Sequence, residues 1–378
     1  MRTARTLVIV ALAAGLVALF LRSANLEQVL AEVRTAQPAL LVVAVGLTLA
    51  SYLVRTRRWQ YLLAPLGGAR FTVAFRTTVI GFAASAILPA RAGEVLRPLL
   101  LARRERLPAT AAFATIVVER ILDLGAVLLL LATYLLLFDD GVSVQAPALY
   151  AAVRLGALVI TPVALSLLLV MAVLAGDPAR FHRLVLGAAR VLPVRMAHAV
   201  ARLAQTFAEG LAVVRRPGRL LASMGLSLVL WIVIASQTWV VARAFGLAMS
   251  YTGAYLLTAL LVVGIAIPTP GGVGGFHEAF RLGATAFFGA DNDKAIGTAI
   301  VLHAVSFVPV VLAGLWFAFQ DGLSIGRLRK LSEDAPEREA EARASALRTG
   351  SRPRGVEASG HPNAAAALGI LPGSAGLL

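Results

Sequence analysis

Cysteine is absent from the 378-residue chain, and lysine occurs at two positions alone, Lys294 and Lys330. The first absence excludes disulfides, thiolate metal sites and thiol nucleophiles. Charge is scarce as well: 15% of residues are charged and 59% are apolar, where a soluble domain carries about 25% and about 45–50%. A mean hydropathy of +0.82 excludes a soluble fold, which could not bury so much hydrocarbon. The net charge of +15 is almost entirely arginine. In a soluble chain that surplus would suggest nucleic acid; here the arginines fall between apolar runs, where the positive-inside rule accounts for them. Nucleic-acid binding is therefore not expected.

What is present is a succession of apolar runs long enough to cross about 30 Å of hydrocarbon. The first, Thr6 to Leu21, follows Arg2 and Arg5 and reads either as a retained signal anchor or as a cleaved signal peptide. Pro38 to Val54 is a second span, and the cluster Arg55, Arg57, Arg58 beside Trp59 marks a cytoplasmic edge. Ala109 to Phe138 is a long span ending at Asp139 and Asp140, which face outward; Ala148 to Leu174 returns, Leu220 to Ala242 crosses outward, and Ala295 to Phe319 returns to Arg327, Arg329 and Lys330. Between Asp177 and Arg219, arginines spaced among apolar residues suggest amphipathic helices on an anionic leaflet, with a solvated cytoplasmic loop as the alternative.

Two further apolar segments are interrupted. Phe71 to Leu88 breaks at Pro89-Ala-Arg-Ala-Gly-Glu94 and resumes as Val95 to Ala102, with arginines at both ends. Tyr251 to Ile267 breaks at Pro268-Thr-Pro-Gly-Gly-Val-Gly-Gly275 and resumes as Phe276 to Phe288, with both flanks poor in basic residues. The expected architecture is an all-α polytopic membrane protein: about six full transmembrane helices plus two broken or re-entrant helical hairpins of opposite orientation, an inverted-repeat-like arrangement. Eight ordinary spans, two of them kinked, is the alternative. The transmembrane domain covers residues 1–325, and residues 326–378, rich in Ala, Arg, Glu, Gly and Pro, form a disordered basic cytoplasmic tail. Arginine placement puts the protein in the cell membrane with both termini cytoplasmic.

Three motifs bear chemistry. Glu119, Arg120 and Asp123 stand about eleven to fifteen residues into their span, roughly 16 to 22 Å deep. Each unpaired charge there costs roughly 2.5 to 3.5 kcal/mol, so they are paired or wetted. A local ion pair that locks helices and a transport or coupling site are both open. In Pro89-Ala-Arg91-Ala-Gly93-Glu94-Val-Leu-Arg97, proline ends the incoming helix and the next half-helix begins with free N–H groups beside Arg91 and Arg97. That arrangement suits an anion, with Glu94 as a competing partner; a kinked helix with snorkelling arginines is the alternative. In the third motif Gly271, Gly272, Gly274 and Gly275 precede His277 and Glu278, again exposing amides at a half-helix start. Spacing excludes the dinucleotide and zinc patterns these stretches imitate, so neither metal nor cofactor is expected. His303 either titrates at the site or bonds a neighbouring helix. Asp291-Asn-Asp293 has a D-x-D form too short to carry weight.

The stretches Leu88 to Arg97, Glu119 to Asp123 and Pro268 to Glu278, taken together and in order, resemble the flippase-like family that includes the membrane part of lysylphosphatidylglycerol synthases. The resemblance spans roughly residues 1 to 325. It implies a module that moves or handles an anionic lipid or a polyprenyl-phosphate-linked headgroup, and marks Arg91, Glu94, Arg97, Glu119, Arg120, Asp123, Gly271, Gly272 and Glu278. His303 departs from the pattern, since an arginine is expected in the last span, and a short tail stands where the synthases carry a large soluble aminoacyl-transfer domain. Lipid aminoacylation is thus not expected of this chain.

The functional expectation is a lipid translocase holding a phosphate-bearing headgroup at the midplane through Arg91, Arg97 and Arg120, with carboxylates competing for those arginines. A membrane-embedded glycosyltransferase or lipid-modifying transferase is the alternative, as is a non-transporting subunit partnering a soluble or membrane enzyme.

Overall fold

The computed structural model describes residues 25–88, 91–138, 141–176, 210–267 and 269–323, and no strand occurs among them. Ten helices of ten residues or more are seen there: α1 (Leu26–Thr35), α2 (Pro38–Leu63), α3 (Phe71–Ile87), α4 (Gly93–Glu105), α5 (Ala109–Leu137), α6 (Pro147–Gly176), α7 (Pro217–Ala244), α8 (Gly253–Ala266), α9 (Gly275–Phe288) and α10 (Asn292–Gln320). The run Thr6 to Leu21, Pro89, Asp139, Asp140, the stretch from Asp177 to Glu209, Pro268 and the tail from residue 326 lie outside the described residues.

Local chemistry sets the helix boundaries. Pro38 and Pro217 stand in the first turn of α2 and α7, where the missing N–H costs nothing and the fixed φ is already helical. Leu88 and Ile267, each before a proline, are extended and end α3 and α8. The Asn25 side chain caps α1 by accepting from Glu27 and Gln28. Asp291 caps α10 in the same way, accepting from the amides of Asp293 and Lys294 at 3.0 and 3.2 Å. Asp293 in turn accepts from the Asn25 amide at 3.0 Å. The D-x-D stretch is therefore occupied in fastening α1 to the start of α10.

Among the described residues five helices are long and apolar enough to cross a membrane, namely α2, α5, α6, α7 and α10. By contrast α3, α4, α8 and α9 have 17, 13, 14 and 14 residues, roughly 20 to 25 Å at 1.5 Å per residue, short of about 30 Å of hydrocarbon. They form two helical hairpins. The open ends of the first are joined where Glu105 accepts from the backbone and side chain of Arg70 at 3.2 and 3.3 Å. Those ends lie at the C-terminal end of α10, where Arg104 and Arg76 pair with Asp321 at 2.6 and 3.0 Å. The second hairpin's open ends, Gly253 and Phe288, touch each other beside the start of α10. The two hairpins thus enter the bundle from opposite ends, as the alternation of basic flanks suggested.

Glycine makes each hairpin possible. A Cβ on Gly93 would overlap the Gly81 carbonyl, and one on Gly81 would come 2.7 Å from the Arg97 Cβ. In the second hairpin, added Cβ atoms on Gly264 and Gly275 would each overlap the other's carbonyl. Each incoming helix therefore meets the first residue of its outgoing helix backbone to backbone, a closeness that membrane helix pairs reach through small residues.

One boundary departs from expectation. The second span was expected to end at Val54, with its arginines at a cytoplasmic edge; α2 instead continues to Leu63, and Arg55, Arg58 and Trp59 are buried. The positive-inside pattern counts charges along the chain and is blind to helix faces, and here one face carries its arginines against α5. Helix α1, with Val29 buried, also had no counterpart in the sequence reading. The hairpin packing predicts that Gly93→Ala lowers the thermal unfolding midpoint in detergent by several degrees. Gly46→Ala, where an added Cβ meets nothing within 4 Å, is expected to leave it unchanged or raised.

Candidate functional site

Glu119 and Asp123 project from α5 into the bundle, with 0% and 7% of their side chains exposed. Two bare carboxylates in hydrocarbon would not be tolerated, and four arginines surround them. Arg58 of α2, fully buried, forms a short two-pronged pair with Asp123, in which Nη2 lies 3.3 Å from Oδ2, and it reaches Glu119 Oε1 at 3.2 Å. Its Nη1 also donates to Ser227 of α7 at 2.8 Å. Arg97 of α4 donates to Glu119 Oε1 at 2.8 Å and to Thr78 of α3 at 3.1 Å, and its guanidinium lies 3.9 Å from the centre of the Trp59 ring. Arg120 donates to Glu119 at 2.8 Å and lies 3.5 Å from Asp123. Arg55 stands farther off, 4.0 and 3.9 Å from the two carboxylates, over the Phe82 ring at 4.7 Å. Trp231 of α7 completes the cluster by donating to Asp123 at 3.0 Å.

The carboxylates are paired both within their own helix and across helices. Arg120 does meet both carboxylates of its own helix, but the most deeply buried partners come from α2 and α4. Arg55 and Arg58 were not among the expected site residues. The available signal was the spacing: two acids four residues apart in mid-span demand counter-charges, and Arg55 and Arg58 are three apart on one helix face.

Beside the cluster lies a cavity of about 390 Å³. Its wall includes Arg55, Arg97, Arg120 and Asp123, the small polar residues Thr48, Ser51 and Ser85, and both helix breaks, through Arg91, Gly93, Glu94, Gly271 and Gly272. Arg91 has φ +52, a strained conformation for a residue with a side chain. Its guanidinium donates to the Ile265 carbonyl at the end of α8 and lies 3.9 Å from Glu94. The two breaks are thereby tied to each other by residues that line one cavity.

Of the expected site residues, Arg91, Gly93, Glu94, Arg97, Arg120, Asp123, Gly271 and Gly272 line this cavity, and Glu119 stands behind it. Gly274, Glu278 and His303 do not line it. Glu278 pairs with Arg281 at 2.5 and 2.9 Å, and Arg281 also donates to Asn292 at 3.1 Å. The Gly274 amide donates to Nδ1 of His277 at 3.3 Å, and the Gly272 amide to the Thr269 carbonyl at 3.1 Å. Those two amides are thus already engaged. Gly271, Gly272 and Gly274 all have positive φ, from 62 to 88°, so glycine here serves the turn itself. His303 Nε2 donates to the Gly271 carbonyl at 2.9 Å, and its ring lies 4.6 Å from that of His277. His303 therefore braces the glycine-rich break from behind.

Among the described residues the cluster sets four guanidinium charges against two carboxylates, an excess of two positive charges inside the helical bundle. Such an arrangement is chemically able to hold an anion by charge-assisted hydrogen bonds. Removing one member of a buried pair is costly because the other is left unpaired, about 3–5 kcal/mol. Arg58→Gln is accordingly expected to lower unfolding stability in micelles by about that amount, and Arg58→Met combined with Asp123→Leu to recover much of the loss; equal losses in both would show that Arg58 acts by packing alone.

Residues 6–314 match the family model described as the lysylphosphatidylglycerol synthase TM region. The chain is also 27% identical over 369 residues to a protein of Haloferax volcanii named Glycosyltransferase AglD, an alignment that covers 89% of this chain and 57% of that protein.

Proposed function

Since the chain belongs to the lysylphosphatidylglycerol synthase TM region family, we propose that it is a lipid translocase that takes an anionic, phosphate-bearing headgroup into the cavity between its two broken hairpins. The observation that carries this is the uncompensated pair of positive charges on a cavity reached by both helix breaks. Arg97, Arg120 and Arg91 bind the headgroup; Glu119, Asp123 and Glu94 hold those arginines when it leaves, so that binding and re-pairing alternate. Arg58, fully buried, keeps the carboxylates in place and does not itself touch the lipid. The hairpins act as re-entrant elements that let the bundle open to one leaflet and then the other around a fixed site. Both termini are cytoplasmic, the arginine-rich end of the bundle facing inward, and the membrane is the cell membrane.

A second reading, a polyprenyl-phosphate-using transferase, is favoured by the name of the Haloferax volcanii relative, of which this chain spans 57% of the length. A transferase needs a carboxylate able to act as a base, whereas Glu119 and Asp123 are each held by arginines, which favours translocation.

Dye-quench scrambling in proteoliposomes tests the choice. A labelled anionic lipid is expected to cross with the unaltered protein, to slow about tenfold or more with Arg97→Ala or Arg120→Ala, as loss of a charge-assisted contact predicts, and to cross normally with Arg57→Ala, an exposed neighbour outside the cluster. A folded protein that moves no anionic or neutral lipid would refute translocation.

A further inference from the structure

We propose that the group held in the cavity carries two negative charges, as does a phosphomonoester or a diphosphate esterified at both ends, and not the single charge of a phosphodiester. The inference rests on the cavity being a phosphate site and deepens that reading by assigning its charge.

Three observations carry it. The first is the balance of charge: among the described residues, Arg55, Arg58, Arg97 and Arg120 oppose Glu119 and Asp123. The second is that the remaining charged pair on the wall, Arg91 and Glu94, cancels itself and so leaves the excess at two. In so confined a site an unbalanced charge has little solvent to stabilise it, since Arg55, Arg58 and Arg97 are at most 10% exposed and Arg120 is 40% exposed. A monoanion would leave one arginine charge unmatched; a dianion brings the cluster to neutrality. The third is that donors on that wall are unmet. Nη2 of Arg97 and the Nε atoms of Arg55 and Arg120, all closed off by their neighbours, have no hydrogen-bond partner, and neither does Oε2 of Glu119, while the Arg120 side chain itself is 40% exposed on that wall. A phosphomonoester presents three terminal oxygens to such donors and a diester two, so the same group that balances the charge also supplies the acceptors. At about 390 Å³ the cavity is at the small end of ligand sites, suited to a headgroup with its tail left in the bilayer.

The test compares two probes that share a tail and differ by one charge. Binding of farnesyl phosphate and of its monomethyl ester to the full chain in nanodiscs of neutral lipid is measured by calorimetry near pH 8, where the monoester is doubly ionised. Farnesyl phosphate is expected to bind about tenfold tighter or more, the difference made by one further charge-assisted contact. Arg120→Gln, which lowers the excess to one, is expected to bring the ratio towards unity; Glu94→Gln, which raises it to three, is expected to widen it. Inorganic phosphate alone binding as well as farnesyl phosphate would support the dianion and assign it to a free ion in place of a lipid. Equal binding of the ester and the monoester, or a ratio unmoved by either substitution, would overturn the inference and leave the phosphate site standing. Binding of none of these probes would remove the phosphate site itself.

Discussion

The pairing of Arg58 with Asp123 and of Arg97 with Glu119, in the dry interior of an apolar bundle, is the interaction on which the arrangement depends. Carboxylates on α5 are tolerable there only with arginine beside them. That requirement holds α2 alongside α5, seats α4 against both, and draws in Ser227 and Trp231 from α7. The helices so gathered are the walls of the cavity. Hydrophobic burial cannot choose between helix faces when lipid is as apolar as leucine, so buried charge does the choosing.

Irregular backbone in a membrane interior is tolerated only where protein or a water-filled cavity surrounds it. Both breaks meet that condition through each other. Arg91 of the first break donates to Ile265 at the second, His303 holds the Gly271 carbonyl, and Gly271 approaches the Ala86 carbonyl. The strained φ of Arg91 is compensated by that contact across the hairpins. Each hairpin in turn depends on a glycine pair, Gly81 with Gly93 and Gly264 with Gly275, so the two halves of the fold solve the same steric problem the same way.

Membership of the family describes a membrane region, and regions of one fold serve different chemistries. Under the proposed reading, Glu119 and Asp123, each held by arginine, suit binding and release of an anion better than proton abstraction. Charge excess, unmet donors and adjoining helix breaks all belong to one cavity, which is why its functional reading rests on geometry more than on the match.

Helix class, the long spans and the two interruptions were legible in the sequence because each follows from short-range rules: apolar run length, proline after Leu88 and Ile267, glycine where φ turns positive. The mid-span acids were legible too, since charge in hydrocarbon stands out by itself. What the sequence left open was partnership. Arg55 and Arg58 read as a cytoplasmic edge because their charge pattern is that of one; only the packing of α2 against α5 turned them inward. Glu278 read as a site acid, and Arg281, three residues on, removed it from the cavity. The amides of Gly272 and Gly274 read as an anion cradle, and neighbouring groups already occupy them. Composition and periodicity specify which residues must be buried or paired, while the partner of a buried charge is fixed by helix faces brought together across 65 residues of chain for Arg58 and Asp123 and 22 for Arg97 and Glu119, which is the contribution of tertiary structure alone.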